Sequence, residues 1–299
     1  MTKVLEVNDV TKKFGDFKAL NNVSFSLNKG EVLGFIGPNG AGKSTTIRIL
    51  LGLLQASSGT AQIFGEDVWQ DAVSIHERVA YVPGDVNLWP NLTGGEIIDL
   101  FLSFRGKTVD KARKEELIRR FDFDPTKKAR AYSKGNRQKV ALIAAFAADA
   151  DLYLLDEPTS GLDPLQERVF QECVQEAQER GASILLSSHI LSEVERLCDQ
   201  IAIIRQGEIV EFGSLEEMRH LTRTQITLKT TEDLSQLAEQ TWAHDMIFEQ
   251  NEIIFQLDSD HMNDLIAFLQ PYNILKLESE PPKLEDLFMR HYELEETSK

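Results

Sequence analysis

Gly37-Pro38-Asn39-Gly40-Ala41-Gly42-Lys43-Ser44-Thr45 constrains this chain more than any other stretch, because an apolar run at 31–36 precedes it and a helical pattern follows. A strand that turns sharply into a helix points several backbone N–H groups at one spot, at the positive end of the helix dipole. Glycines at 37, 40 and 42 let the backbone approach a ligand that a Cβ would hold off. Lys43 is then in reach of β- and γ-phosphates, and the Ser44 hydroxyl is placed to ligate Mg²⁺. The helix is expected to carry Ile47, Ile49, Leu50, Leu53 and Leu54 on its apolar side. A bare glycine turn is the competing reading; the flanking strand and helix favour a nucleoside triphosphate site.

Length and charge narrow the setting. At 299 residues the chain can hold one large domain plus a small one. Its formal net charge of -16, from 48 acidic against 32 basic residues, disfavours DNA or RNA as the main partner, since phosphate backbones demand clustered Lys and Arg. Cys173 and Cys198 are the only cysteines; they lack metal-ligand spacing and are expected as small buried hydrophobes. Residues 1–10 do not read as a secretory signal, and 142–150, though apolar, is far too short to span a bilayer. The expectation is a soluble, cytoplasmic protein that works at a membrane only by docking onto something that crosses it.

Along the chain, 4–10 and 23–27 alternate apolar and polar residues, as half-buried strands do. Residues 60–64 read as a short strand ended by Gly65. From about 84 to 150 the pattern is mostly helical, with Thr93-Gly94-Gly95-Glu96 as a helix entry before Ile97, Ile98, Leu100 and Phe101. Apolar strands return at 152–155, 183–187 and 201–205. Pro164 opens one of the helices between them, with Val169, Phe170, Cys173, Val174 and Ala177 as its apolar face. This alternation predicts an α/β fold with a mostly parallel sheet covered on both faces. The tail changes character and predicts a small α+β domain over 221–299, after a main domain over 1–220. Its expected elements are a strand at 225–229, a helix at 234–241 and a hairpin at 246–257 around Gln250-Asn251. An amphipathic helix at 262–269, a strand at 274–277 and a last helix after Pro281-Pro282, carrying Leu284, Leu287, Phe288 and Tyr292, complete it.

Leu152-Tyr153-Leu154-Leu155-Asp156-Glu157 is an apolar strand ending in two carboxylates. Beside a phosphate loop, Asp156 is placed to hold the Mg²⁺ shell opposite Ser44. Glu157 projects one residue further, where a water in line with the γ-phosphate can sit. His189 follows a strand and is either structural or a contact for that phosphate or water. Phe14 either stacks on a nucleobase or joins the core. Tyr132-Ser133-Lys134-Gly135-Asn136-Arg137-Gln138 stands before a helix expected to begin near Lys139, and offers a hydroxyl, a glycine N–H and a positive helix end suited to a phosphate. One chain does not easily bring that segment and its own phosphate loop to the same phosphate, which argues for a second subunit.

Taken in order, these motifs resemble those of an ATP-binding cassette (ABC) ATPase subunit, a P-loop NTPase fold, over residues 4–212. The resemblance makes Phe14 the aromatic loop, 37–45 the Walker A motif, 132–138 the signature and 152–156 the Walker B motif. Glu157 becomes the catalytic glutamate, Ser160-Gly161-Leu162-Asp163 the D-loop, and His189 the switch histidine. It implies antiparallel strands at the N-terminus, a helical subdomain over about 84–150, and ATP with Mg²⁺ as ligands. It further implies nucleotide contacts by Phe14, the Walker A residues, Ser133, Gly135 and Asp163, metal contacts by Ser44 and Asp156, and catalysis by Lys43, Glu157 and His189. Two cassettes, in a homodimer or a heterodimer, would sandwich two ATP molecules head to tail, each between one Walker A motif and the other subunit's Ser133 and Gly135.

Two positions depart from the family pattern. Lys134 and Asn136 replace the first Gly and the Gln of Leu-Ser-Gly-Gly-Gln, while Ser133 and Gly135 survive. Gly84, after Tyr81-Val82-Pro83, stands where a Gln or an acidic residue is usual; Asp85 either substitutes through a shifted loop or is a solvated turn acid. The tail at 280–288 resembles that of bacterial drug and antibiotic exporter cassettes. An exporter subunit is therefore expected, peripheral on the inner face of the cell membrane through a separate transmembrane permease docking near 84–104. A soluble ABC ATPase acting on ribosomes or DNA is the alternative, and it fits the acidic chain poorly. A small-molecule kinase would leave the signature unexplained.

Overall fold

A computed structural model describes residues 2–104, 110–220, 223–249 and 252–280. The chain divides into two compact units, Met1–Gly213 and Ser214–Lys299. The expected division at 220 and 221 stands seven residues later, and the short helix Leu215–His220 falls within the second unit.

The first unit opens with β1 (Lys3–Phe14) and β2 (Phe17–Asn28), joined by a tight turn. β3 (Val32–Ile36) then leads through residues 37–42 into α1 (Lys43–Leu50). β4 (Ser58–Ile63), β5 (Glu66–Asp67), α2 (Ala72–His76) and β6 (Val79–Val82) follow. Three helices come next: α3 (Gly94–Ser103), α4 (Lys111–Arg120) and α5 (Lys134–Phe146). β7 (Leu152–Asp156), α6 (Pro164–Glu179), β8 (Ser183–Ser188), α7 (Leu191–Leu197), β9 (Gln200–Arg205) and β10 (Glu208–Ser214) complete the order.

Two sheets result. β2-β1-β4-β5 pair antiparallel, and β10-β9-β3-β8-β7-β6 form a six-stranded sheet in which β9, β3, β8, β7 and β6 run parallel. β3, β7 and β8 are buried at every residue, which is why their central residues read as apolar runs rather than an alternation. One cluster joins the inner faces of the two sheets through Leu5, Leu20, Leu27, Leu33, Phe35 and Ile47. The apolar side expected for α1 needs one correction: the helix ends at Leu50, and Leu53 beyond it is 66% exposed.

α3 begins where Thr93-Gly94-Gly95-Glu96 places it. The Thr93 hydroxyl accepts the Glu96 N–H at 3.3 Å while the Glu96 carboxylate accepts the Thr93 N–H at 2.7 Å, a reciprocal capping box. α4, within the stretch expected to be mostly helical, has a charged sequence with only Leu117 buried. Arg113 and Arg120 tie it to Glu176 of α6 at 2.6 and 2.7 Å. α5 starts at Lys134, not near Lys139, because Ser133 is its N-cap and accepts the Asn136 N–H at 3.3 Å. Among the described residues, no helix is long and apolar enough to cross a membrane.

The second unit, taken by itself, begins with α8 (Leu215–His220) and contains β11 (Thr224–Thr230), β12 (Ala243–Glu249), β13 (Glu252–Leu257), α9 (Met262–Leu269) and β14 (Ile274–Glu280). Its antiparallel sheet runs β12-β13-β11-β14. Ile226, Leu228, Phe255 and Leu257 from the sheet share a core with Leu265 and Leu269 of α9. The helix expected at 234–241 is a 3₁₀ turn, Ser235–Glu239. Gln250-Asn251, the exporter-like tail and the last helix expected after Pro281-Pro282 lie outside the described residues.

Replacing Thr93 with Ala removes the cap of α3 and should cost about 1 kcal/mol, lowering the thermal midpoint of the first unit by about 2–4 °C. Circular-dichroism melts of the two proteins check this. An unchanged midpoint would show that the box does not hold the helix start.

Candidate functional site

The site forms at the carboxyl ends of β3, β7 and β8, where three segments leave the sheet at one level. Ile36 lies beside Ser188, and Asp156 beside Ser187. The chain after β3 wraps closely. A Cβ on Gly37 would collide with the Ile204 carbonyl oxygen, and one on Gly42 would lie 2.6 Å from Leu20 Cδ2. Gly42 also has φ +117°, a left-handed conformation that disfavours any other residue. It is the N-cap of α1 and brings no side chain to the first N–H groups, leaving them to face whatever sits at the helix start. That cradle fits an anion. Asn39 and Gly40 are exposed at its rim, Pro38 and Thr45 are half-buried, and Ala41 is buried beneath it.

Lys43 is buried, at 5% exposure, and its Nζ donates to the carbonyls of Gly37 at 2.6 Å and Pro38 at 3.3 Å. It also stands 3.5 Å from Glu157 Oε1. Glu157 follows the last residue of β7 with φ +47°, a left-handed turn in a side chain that rarely adopts one. Its N–H is fixed by the Ser187 carbonyl at 2.9 Å. The turn swings the carboxylate out of the strand, so that Oε2 lies 3.5 Å from His189 Nδ1. Lys43, Glu157 and His189, named separately in the sequence, are thus one constellation.

Asp156 is buried at the end of β7 and accepts the Ser187 hydroxyl at 3.1 Å. Burial and then the Asp156 charge push the neighbouring Tyr81 hydroxyl up to about 12. Ser44, at the second position of α1, is exposed. No cluster of three or more His, Cys, Asp or Glu able to hold a metal occurs among the described residues. One hydroxyl and one carboxylate nonetheless suit Mg²⁺, which takes few protein ligands and keeps phosphate oxygens and waters in its shell.

The signature segment packs on the D-loop of its own chain. Lys134 Nζ donates to Ser160 Oγ at 2.6 Å, and a Cβ on Gly135 would collide with the Gly161 carbonyl oxygen. Asp163 caps α6, its Oδ1 accepting the N–H groups of Leu165 and Gln166 at 3.0 Å each. Phe14 is 51% exposed at the end of β1, with Lys12 Nζ 5.1 Å from its ring centroid, so it is no part of the core. Gly84 approaches the Walker B turn closely: a Cβ there would sit 3.1 Å from the Asp156 carbonyl oxygen, while Asp85 is exposed. Both cysteines are buried as expected, and burial pushes the Cys173 thiol up to about 12. Two supporting contacts are not visible in the sequence. Ser187 holds Asp156, and buried Gln138 donates to the Pro83 carbonyl at 3.4 Å.

Residues 20–160 match the family described as ABC transporter. The uncharacterized ABC transporter ATP-binding protein YhaQ of Bacillus subtilis is 32% identical over 96% of this chain and 97% of that protein. The linearmycin resistance ATP-binding protein LnrL of the same organism is 30% identical over 96% and 97%. A solved ATP-binding subunit of an ABC transporter superimposes with a TM-score of 0.68 at 34% identity, covering 73% of this chain and 92% of that one. The dimeric, post-hydrolysis cassette MJ0796 bound to ADP and Pi gives a TM-score of 0.65 at 25% identity, over 71% and 98%. With a loop cradle, a buried lysine and a strand-end glutamate on one edge of the sheet, and relatives alike over nearly their whole length, the chain belongs to the ABC transporter ATP-binding proteins and is an ATPase.

Proposed function

We propose that this chain is the ATP-hydrolysing subunit of an ABC exporter, closing on a second cassette around ATP to drive a separate transmembrane permease. The observation that carries the reading is the Glu157 carboxylate held between Lys43 and His189, 3.5 Å from each. Lys43 and the N–H groups at the start of α1 bind the β- and γ-phosphates, and Phe14 offers its exposed ring to the base. Ser44 and Asp156 would hold Mg²⁺, which would supply neutralisation of phosphate charge. Glu157 takes a proton from a water in line with the γ-phosphate. As the water oxygen bonds to phosphorus, the bond to the bridging oxygen breaks and ADP leaves with the electron pair. His189 orients that water and the γ-phosphate from the other side of the carboxylate.

Lys134 and Gly135 lie against Ser160 and Gly161 of their own chain, and Ser133 caps the same helix, which supports a role for this segment toward the nucleotide of a second copy. The dimeric cassette bound to ADP and Pi supports the pairing of two cassettes. Hydrolysis then removes contacts shared by both halves, and the dimer opens. The export direction is supported by LnrL, a resistance protein that matches this chain through the second unit as well. For the permease, an apolar groove of about 330 Å³ lined by Val79, Val86, Phe101 and Ala141 lies in the expected 84–104 region, with Trp89 half exposed nearby. These roles place the working protein on the inner face of the cell membrane, held there by the permease.

Steady-state phosphate release tests the chemistry. Glu157→Gln should lower turnover by about 10²–10⁴-fold while fluorescent-ATP binding to the protein is retained. Turnover within twofold of the parent would remove Glu157 as the base. Ser133→Gly keeps a tolerated N-cap for α5 yet removes the hydroxyl. It should lower turnover about tenfold or more without loss of ATP binding by the monomer. Full activity would exclude the signature from the phosphate.

A further inference from the structure

Glu193, on α7, is 5% exposed, and nothing in the site described above uses it. Acidic side chains are rarely buried so fully without a cation beside them. Here the partners are hydroxyls. Ser188 Oγ donates to Glu193 Oε2 at 2.7 Å, the Thr159 hydroxyl also faces the carboxyl, and Oε1 has no hydrogen-bond partner among the described residues. Burial raises the pKa of the carboxyl, and the two hydroxyls only partly oppose it. A buried carboxyl left half satisfied destabilises the fold, so its place asks for a reason beyond packing.

The two hydroxyls belong to the turns that carry the hydrolytic pair. Ser188 directly precedes His189, and its oxygen also accepts the Ile190 N–H at 3.0 Å, shaping the turn. Thr159 stands two residues after Glu157, in a turn closed by Ser160 N–H to the Glu157 carbonyl at 3.2 Å and Leu162 N–H to the Thr159 carbonyl at 3.0 Å. One side chain therefore reaches both turns from beneath.

We infer that Glu193 is a positioning residue for ATP hydrolysis: by holding the Ser188 hydroxyl at 2.7 Å, with the Thr159 hydroxyl facing it, its carboxyl fixes the turn that carries His189 and so sets the 3.5 Å approach of His189 to Glu157. The inference rests on the roles proposed for Glu157 and His189. Removing the carboxyl frees the imidazole to leave Glu157 while the phosphate loop, on another strand, keeps its grip on nucleotide. The effect should fall on kcat and spare KM.

The test is steady-state ATPase kinetics in the full chain, with and without His189→Ala. Glu193→Ala should lower kcat about tenfold with the ATP KM within about twofold of the parent. Glu193→Gln keeps an acceptor for Ser188 and the side-chain shape, and should stay within about threefold of the parent. In the His189→Ala background Glu193→Ala should cause no further fall, since the group it positions is gone. Should the alanine variant fold poorly, Thr159→Val removes one of the two hydroxyls with little change of shape, and should give the same selective loss of kcat. Equal losses with and without His189, or a loss confined to KM, would overturn the inference as a packing effect. Full activity of Glu193→Ala beside an impaired His189→Ala overturns the inference alone, whereas full activity of His189→Ala removes the role proposed for His189 and this inference with it.

Discussion

The parallel register of β3, β7 and β8 is the constraint on which the site depends. With Ile36 level with Ser188 and Asp156 level with Ser187, the chain leaves all three strands at one edge. The phosphate loop, the paired carboxylates and His189 follow from that edge within one or two residues. A slip of one residue in any of the three would carry the groups at its end out of level with the others, so the packing of these strands also fixes the chemistry. Ser183, at the start of β8, is a polar exception in this core, and its hydroxyl accepts the Gly30 N–H and donates to the Asn28 carbonyl.

At the edge itself, backbone conformation rather than strand geometry aims the groups. Gly42 turns left-handed to start α1, and Glu157 does so to carry its carboxylate between an ammonium and an imidazole. Glycine adopts such a turn freely, whereas glutamate adopts it against its preference, which concentrates strain beside the residue proposed as the base. The signature segment is organised differently. It packs on the D-loop through Lys134 and Gly135, so the start of α5 and the segment after Glu157 form one surface. On the proposed function this surface would serve the nucleotide of a second copy, since it lies on elements separate from the phosphate loop.

Much of this was legible because it is local. The Walker residues, the apolar strands, the Thr93 box and the hairpin strands of the second unit announce themselves within a few residues each. α5 starts about five residues before the expected Lys139, because residues 134–138 carry glycine and polar side chains that read as loop, while Ser133 as N-cap is the local signal for the true start. The bounds of α4, within the stretch expected to be helical, are not marked in the sequence, because Leu117 alone is buried and the partners of its arginines, Glu172 and Glu176, lie far along the chain. The same distance hides Ser187 beneath Asp156, Gln138 against Pro83, and the approach of Gly84 to the Walker B turn. Phe14 could be read either way from sequence, and its exposure decides against the core.

The central claim is that a triphosphate is clamped between two copies of this surface and then cleaved from one side by Glu157. Sedimentation velocity of the Glu157→Gln protein, with and without ATP and magnesium, addresses it most directly. The account expects a monomer without nucleotide and a stable dimer with ATP, reverting when ADP is substituted. A monomer under every condition would contradict it.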